Sequence, residues 1–162
     1  MATHALNQDI VLVGFMAAGK STIGAEVARR LGRDFVDTDL KLDVELLATD
    51  EAAFRQGEFE AVAHELRAGK PGVYALGGGA VETPAVRALL REAFVVVLDI
   101  DLETAWKRAR GTERPLARNE EEFRRRYEQR QPLYAEVADA RASDADGVIL
   151  AAAGVHVEVG AL

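Results

Sequence analysis

One segment near the start of the chain restricts the possible folds more than any other, DIVLVGFMAAGKSTIGAEVARRLG at residues 9–32. It begins as a continuous apolar run, passes through a glycine-bounded turn and continues as an amphipathic pattern. The apolar run predicts a strand buried on both faces, as in parallel sheets. In the amphipathic part Ile23, Val27 and Leu31 recur every four residues, which predicts a helix. The segment therefore predicts a strand–turn–helix unit.

The turn matches the G-x-x-x-x-G-K-[ST] pattern of loops that bind nucleotide phosphates, here GFMAAGKS at residues 14–21. Backbone N–H groups of such a loop and of the following helix N-terminus present partial positive charge to an anion. Gly19 allows phosphate to approach the backbone, Lys20 can reach the outer phosphates, and the Ser21 hydroxyl can bind Mg²⁺. The pattern predicts a nucleotide site, but it does not define a reaction.

Composition excludes several other classes of protein. The 162 residues suffice for one domain with one core, and the net charge of −7 disfavours binding to nucleic acid. Without cysteine the chain has neither disulfides nor a cysteine nucleophile. No apolar run approaches the roughly 20 residues of a membrane span, and the N-terminal residues do not resemble a signal peptide. We therefore expect a cytoplasmic protein that binds neither membranes nor nucleic acid.

Strand-like and helix-like segments alternate along the chain. The five segments that predict strands are residues 10–14, 34–39, 72–79, 93–100 and, most weakly, 147–150. A helix is expected to begin at Thr83-Pro84, and another after Asn119, where three glutamates follow the capping residue. Pro132 is expected to interrupt the second of these helices. The alternation predicts a doubly wound α/β domain.

Polar residues and glycines follow two of the predicted strands, where ligands bind in open α/β sheets. Asp37 and Asp39 are two residues apart in VDTDLKL, so their side chains share a face. One could help to hold Mg²⁺ through water, and the other could orient a substrate hydroxyl. A solvated turn with a helix cap explains the pair equally well. The glycines of ALGGGAV, residues 75–81, expose N–H groups to a ligand, although a flexible loop would have the same composition.

Two arginines lie next to loop-like or helix-breaking sequence. Arg114, in GTERPLARNEEEF, could close over the phosphates and stabilise transition-state charge. Arg130, in QRQPLY, suits an acidic substrate because arginine binds a carboxylate through two parallel hydrogen bonds. For either arginine alone, an ion pair at the protein surface is the simpler interpretation.

Taken in order along the chain, these segments resemble the shikimate kinases. The matching segments are GFMAAGKST, FVDTD, LGGGAV, ERPL, RQPLY and VAD. The resemblance implies the P-loop kinase fold, a three-layer α/β/α arrangement with a central five-stranded parallel sheet, in a single domain of residues 1–162. It implies a substrate-binding segment at about residues 39–70 and a lid at about 111–122. It also implies a monomer that uses ATP and Mg²⁺ to phosphorylate the 3-hydroxyl of shikimate in aromatic amino acid biosynthesis.

The resemblance further implies a role for each motif residue. Lys20, Asp39 and Arg114 are the expected catalytic residues: the lysine neutralises phosphate charge, the aspartate orients the attacking hydroxyl, and the arginine faces the phosphates from the lid. The expected ATP-binding residues are Ala17, Ala18, Gly19, Lys20, Ser21, Thr22 and Arg114. The expected substrate-binding residues are Asp39, Arg55, Gly77, Gly78, Gly79 and Arg130, the last on the shikimate carboxylate. Mg²⁺ would be held by Ser21 and, through water, by Asp37, while Arg108 or Arg110 would flank the adenine.

The chain departs from the family pattern in two places. Ala17 stands where a glycine is usual, and ATDEAAFRQGEFEAVAHEL at residues 48–66 is shorter than the corresponding family segment. Two alignments of that segment remain open: either Phe54-Arg55 is the substrate-binding FR pair, or Gly57-Glu58 is an earlier GE pair and the binding arginine is absent. A small-molecule kinase that acts on another acceptor, such as gluconate, and a nucleotide-binding module with a degenerate substrate site are therefore the alternative interpretations.

Overall fold

The fold is a parallel sheet with helices on both faces. The computed structural model describes residues 7–43, 45–66, 69–112, 117 and 119–154. The five strands are β1 (Ile10–Val13), β2 (Phe35–Asp37), β3 (Val73–Ala75), β4 (Phe94–Leu98) and β5 (Ala140–Ala142). Every neighbouring pair is parallel, and the spatial order is β2-β3-β1-β4-β5. The described residues thus confirm the predicted α/β fold and its five-stranded parallel sheet.

Helices connect successive strands, and their ends follow the capping signals in the sequence. The helices are α1 (Lys20–Leu31), α2 (Leu46–Thr49), α3 (Glu51–Leu66), α4 (Pro84–Leu89), α5 (Leu102–Ala109), α6 (Glu120–Val137) and α7 (Ala145–Ala152). Gly32 ends α1 in the left-handed conformation, and the Asn119 side chain accepts a hydrogen bond from the Glu122 N–H at the start of α6. Within the described part of the chain, no helix is both long and apolar enough to span a bilayer.

The alternation of side chains along each strand divides the core between the two faces of the sheet. In β1, Val11 and Val13 join one buried cluster, which α3, α4, α5 and α6 cover, while Ile10 and Leu12 join a second cluster under α1 and α7. All four of these β1 side chains are at most 1% exposed. Burial on both faces explains why the central strands are continuous apolar runs rather than alternating ones.

The order of the strands places a crevice at the carboxyl end of β1. Because β3 and β4 lie on either side of β1, the connections from the strands run in opposite directions there. The loop after β1, the turn after β2 and the glycine run after β3 all meet at this edge of the sheet. Ligands of open α/β sheets bind at such a switch point, so the topology brings three separate sequence motifs to one place.

Two local predictions were wrong. Residues 147–150 form part of α7 rather than a strand, and the fifth strand is Ala140–Ala142. Asp144 caps α7 through the Gly147 N–H, and the buried Val148 and Ala152 are one helical turn apart. Pro132 does not interrupt α6, which continues to Val137. In the C-terminal residues 155–162, the alternation of Val155, Val157 and Val159 predicts either a short edge strand or a loose tail, and these residues lie outside the described ones.

Candidate functional site

A cleft of about 520 Å³ opens at the carboxyl edge of the sheet. Most of the predicted site residues line it, namely Ala17, Gly19, Lys20, Ser21, Thr22, Asp39, Arg55, Gly77, Gly78, Gly79 and Arg130. Ala18 is buried in the core beneath the phosphate loop, and Asp37 reaches the cleft through its contact with Ser21. Arg114 belongs to residues 113–116, which lie outside the described residues, so its predicted role stays a prediction.

The phosphate loop, residues 14–21, curves around an opening between β1 and the start of α1. Gly14 has φ 154°, and a Cβ there would lie 2.8 Å from the Leu98 carbonyl oxygen, so the loop leaves β1 where only glycine fits. The Lys20 ammonium donates to the carbonyls of Gly14 at 2.6 Å and Phe15 at 3.1 Å. These bonds hold the charge over the loop, next to the N–H groups at the start of α1. The loop can therefore bind an anion of high charge.

Ala17 adopts the left-handed conformation that a glycine would take without strain. Its φ is 69°, the one positive φ of a non-glycine residue in the described part of the chain. Such a conformation costs about 1 kcal/mol for a residue with a Cβ, so the substitution is tolerated. Arg108 donates to the Ala17 carbonyl at 3.1 Å and also lines the cleft, whereas Arg110 does not. Of the two arginines suggested for the adenine, Arg108 is the one at the nucleotide loop.

Two side chains with oxygen atoms that could bind a metal ion, Ser21 and Asp37, lie together at the end of the phosphate loop. The Ser21 hydroxyl donates to a carboxylate oxygen of Asp37, and the other oxygen of Asp37 accepts from the Asp39 N–H at 3.0 Å. The second bond caps the 3-10 turn Thr38–Lys41 that follows β2. Mg²⁺ prefers oxygen ligands such as hydroxyl and carboxylate groups. Two protein ligands leave room on the ion for phosphate and water. The residues therefore fit a phosphate-bound Mg²⁺.

Asp39 lines the cleft next to the glycine run. Its side chain is exposed to the cleft, but a Cβ on Gly77 would collide with its carboxylate. The surrounding protein atoms displace water and raise the pKa of Asp39, and the charge of Asp37 raises it further. Lys20 and Arg55 act in the opposite direction. Asp39 thus lies within electrostatic reach of both the phosphate loop and the arginine side of the cleft.

Arg55 and Arg130 line the cleft together beside Gly79, and we call this pair the Arg55–Arg130 wall. Arg55 comes from α3 and its side chain is 14% exposed, whereas Arg130 comes from α6 and is 2% exposed. Each guanidinium lies over an aromatic ring, Arg55 over Phe54 at 5.3 Å and Arg130 over Phe15 at 5.7 Å. Two arginines that face one space suit a carboxylate ligand.

The position of Arg55 favours the first of the two alignments of residues 48–66. Its guanidinium donates to Glu58 at 3.0 Å, three residues later on the same helix. The Glu58 side chain is 1% exposed, and burial raises its pKa while Arg55 partly offsets that effect. A carboxylate so deeply buried requires a cationic partner, and Arg55 is that partner. The shorter segment has therefore kept an arginine at the cleft.

The structure adds two residues that sequence reasoning missed. Tyr134 lies one turn after Arg130 on α6, and its hydroxyl donates to the Gly78 carbonyl at 2.7 Å, which ties the glycine run to the helix. Its spacing from Arg130 was a usable signal, since residues four apart share a helix face. Glu82 contacts both Arg55, at 3.1 Å, and Arg130, at 3.3 Å. No local pattern marks Glu82, because its partners are 27 and 48 residues away.

Gly79 lies close to the guanidinium groups of both Arg55 and Arg130, so a substitution at Gly79 tests what the two arginines bind. A Cβ there would lie 2.5 Å from Arg55 Nη2 and 2.9 Å from Arg130 Nη2, while its φ of −94° suits any residue. We expect Gly79→Ala to displace both arginines and to weaken binding of an acidic ligand by about ten- to a hundredfold. Isothermal titration calorimetry with shikimate, the acid that the sequence resemblance implies, measures this. An unchanged affinity would contradict the assignment of this wall as the carboxylate site.

Gly57→Ala is the matched control for that substitution. Gly57 lies inside α3, and apart from its chain neighbours and the nearby α3 backbone no atom is within 4 Å of the position that its Cβ would take. Alanine in place of glycine in a helix interior stabilises by about 0.5–1 kcal/mol. We therefore expect the control to bind the ligand as the wild type does and to unfold at slightly higher urea concentration.

Comparisons with known proteins agree with this geometry. The family model described as shikimate kinase matches residues 16–153. The shikimate kinase of Symbiobacterium thermophilum is 40% identical over 148 residues, 82% of this chain and 84% of that protein. A solved structure of shikimate kinase from Acinetobacter baumannii in complex with shikimate has a TM-score of 0.76 at 31% identity and covers 87% of this chain and 88% of that one.

A gluconokinase is also similar in structure but much less so in sequence. The enzyme from Sinorhizobium meliloti has a TM-score of 0.62 at 18% identity, and the match covers 91% of this chain and 90% of that one. This likeness shows a shared fold and nothing about the acceptor. By contrast, the family model and the relative at 40% identity are both shikimate kinases. The chain belongs to the shikimate kinase family.

Proposed function

We propose that this protein transfers the γ-phosphate of ATP to the 3-hydroxyl of shikimate, a step of aromatic amino acid biosynthesis. The observation that carries the proposal is the layout of the cleft, in which the phosphate loop, the Arg55–Arg130 wall and Asp39 line one space, with Asp39 within electrostatic reach of Lys20 and Arg55. Shikimate is a cyclic carboxylate that bears hydroxyl groups. Its carboxylate would lie against the arginines while a hydroxyl points towards the phosphates.

The reaction requires alignment and charge stabilisation more than covalent chemistry. The 3-hydroxyl oxygen forms a bond to the γ-phosphorus as the bond to the bridging oxygen breaks, and ADP leaves. Asp39 accepts the hydrogen bond of the attacking hydroxyl and takes its proton. Lys20 stabilises the negative charge on the transferring group, and we assign the same role to Arg114, which lies in the proposed lid.

The Ser21–Asp37 pair would hold Mg²⁺, Ser21 directly and Asp37 through water. The ion supplies positive charge to the β- and γ-phosphate oxygens when bound. No group of three or more His, Asp or Glu residues suited to a metal occurs among the described residues, which is compatible with an ion that takes most of its ligands from phosphate and water. We further propose that the enzyme acts as a monomer in the cytoplasm.

A coupled assay for ADP release tests the function and separates it from its alternatives. We expect ADP formation that depends on both shikimate and Mg²⁺, and no comparable dependence on gluconate. Dependence on gluconate instead would support the other small-molecule kinase. ATP binding with no release of ADP in the presence of shikimate would support a nucleotide-binding module with a degenerate substrate site.

A further inference from the structure

Glu82 forms ion pairs with both arginines of the Arg55–Arg130 wall. It ends the 3-10 turn Ala80–Glu82, directly after the glycine run. One of its carboxylate oxygens accepts from Arg55 Nη2 at 3.1 Å, and the other accepts from Arg130 Nε at 3.3 Å. A single internal carboxylate thus pairs with the same two cations that face the cleft for an acidic ligand.

This bridge changes the charge balance that an incoming substrate meets. In the described part of the chain, Glu82 is the one carboxylate within 4 Å of the Arg130 guanidinium, whereas Arg55 also pairs with the buried Glu58. Glu51 also lies 3.8 Å from Arg55, but it is mostly exposed to water, so the two guanidinium charges are matched within the wall by the two less exposed carboxylates, Glu58 and Glu82. A substrate carboxylate is a third negative charge at a wall that has no net positive charge to offer, and its attraction to the wall is reduced accordingly.

Glu82 is able to give up these bonds, and the arginines do not depend on it alone for their positions. Its side chain is 29% exposed, so the carboxylate can be hydrated when it leaves the arginines. Without it, Arg130 is still held against the Phe15 ring and the glycine run, and Arg55 is still bonded to Glu58. The loss of a negative charge should therefore outweigh the loss of positioning when Glu82 is neutralised.

We propose that Glu82 is an internal counter-ion that competes with the substrate carboxylate for Arg55 and Arg130 and so sets the affinity of the cleft for acidic substrates. The inference rests on the proposed function, because it takes the ligand to be a carboxylate such as shikimate. It predicts that the enzyme binds its substrate less tightly than the arginine pair alone would allow. It also predicts that the effect of Glu82 vanishes for a ligand without a charge.

The test compares Glu82→Gln with Glu51→Gln. Glutamine keeps the shape of Glu82 and removes its charge. Glu51 lies 3.8 Å from Arg55 but its side chain is 62% exposed, so its neutralisation removes the same charge near the same arginine without breaking the bridge. Calorimetry with shikimate should show about three- to tenfold tighter binding to Glu82→Gln and little change for Glu51→Gln. The methyl ester of shikimate should bind the wild type and both variants equally.

Steady-state kinetics supply the second readout. The KM for shikimate should fall in Glu82→Gln by a larger factor than any change in kcat, and the KM for ATP should stay the same. Unchanged or weaker binding of shikimate by Glu82→Gln overturns the inference and shows that the bridge only positions the arginines, while wild-type turnover leaves the proposed function in place. If shikimate binds neither the wild type nor Glu82→Gln, the substrate assignment and the inference are both wrong.

Discussion

Asp39→Asn is expected to lower kcat for shikimate phosphorylation by at least about a hundredfold. A side chain that orients the attacking hydroxyl and takes its proton contributes about 10²–10⁴-fold to such reactions. Asparagine keeps the size of the side chain, but it cannot accept the proton. Since Lys20 and the Arg55–Arg130 wall remain, we expect the KM values for ATP and shikimate to change much less than kcat. Initial rates of ADP release at varied concentrations of both substrates measure these quantities.

The pH dependence of the wild type provides a separate check on the same residue. Asp39 must be ionised to act, and crowding by protein atoms and the charge of Asp37 raise its pKa above the ordinary value for aspartate. On acidification, kcat/KM should therefore begin to fall at a higher pH than a solvated aspartate would impose. A rate that follows only the ordinary titration of aspartate would argue against Asp39 as the group that takes the proton.

The same substitution should stabilise the fold at neutral pH. A carboxyl whose pKa is raised on folding contributes stability below its ordinary pKa, and that contribution is lost as the pH rises through the folded-state value. At neutral pH the ionised Asp39 is therefore less favourable in the folded protein than a neutral asparagine, and the advantage of the variant should shrink in acid. Urea unfolding of the wild type and of Asp39→Asn, at neutral and at acidic pH, tests the sign of this difference in stability. A loss of activity together with equal or greater stability excludes misfolding as the cause.

Asp34→Asn is the matched control for these measurements. Asp34 precedes β2, so it lies at the opposite end of the strand from the cleft and is exposed. The substitution removes the same charge, and the kinetic constants should stay close to those of the wild type. If Asp39→Asn retains the turnover of Asp34→Asn, the proposed alignment of hydroxyl and phosphate is wrong.

The global fold was predictable because strands that are buried on both faces of the sheet can be recognised from a few consecutive residues. Strands β1 and β4 are continuous apolar runs, and α1 ends at Gly32, a residue that favours the left-handed conformation found there. The strand prediction for residues 147–150 was wrong because a glycine and three apolar residues are too few to distinguish a strand from a helix. The prediction that Pro132 interrupts α6 was wrong for a reason that lies outside the local sequence. The N–H that proline lacks costs one hydrogen bond, but the buried Phe123, Arg130 and Tyr134 hold α6 together along one face.

The site was predictable only where its residues are close in sequence. The phosphate loop is a continuous motif, and its Lys20 and Ser21 are located by spacing alone. Arg55 could not be assigned, since two alignments satisfied the same letters, and they are separated by the ion pair of Arg55 with the buried Glu58 and by the approach of α3 to the glycine run. Glu82 acts through contacts across three elements, and such contacts depend on the packing of the whole domain.

Arg130→Ala is expected to raise the KM for shikimate by about ten- to a hundredfold and to change kcat less. Arg130 is buried and is held against Phe15 and the glycine run, so the wild type presents its guanidinium to the cleft without further reorganisation. Removal of one partner of a buried charge pair costs about 2–5 kcal/mol, and the remaining Arg55 retains part of the binding. The KM for ATP should change less than the KM for shikimate, because Arg130 contacts the phosphate loop at the Phe15 ring, and Lys20 and the N–H groups of the loop remain.

Arg130→Lys separates charge from shape at this position. Lysine restores one positive charge but not the planar fork that binds a carboxylate through two parallel bonds, so its KM should lie between those of the wild type and Arg130→Ala. Arg124→Ala, an exposed arginine on the same helix, is the control and should leave the kinetics unchanged. Arg130→Ala also loses packing on Phe15, so thermal unfolding must show that the variant is folded at the assay temperature. A folded Arg130→Ala with the wild-type KM for shikimate would remove Arg130 from the carboxylate site and leave Arg55 to bind the acid alone.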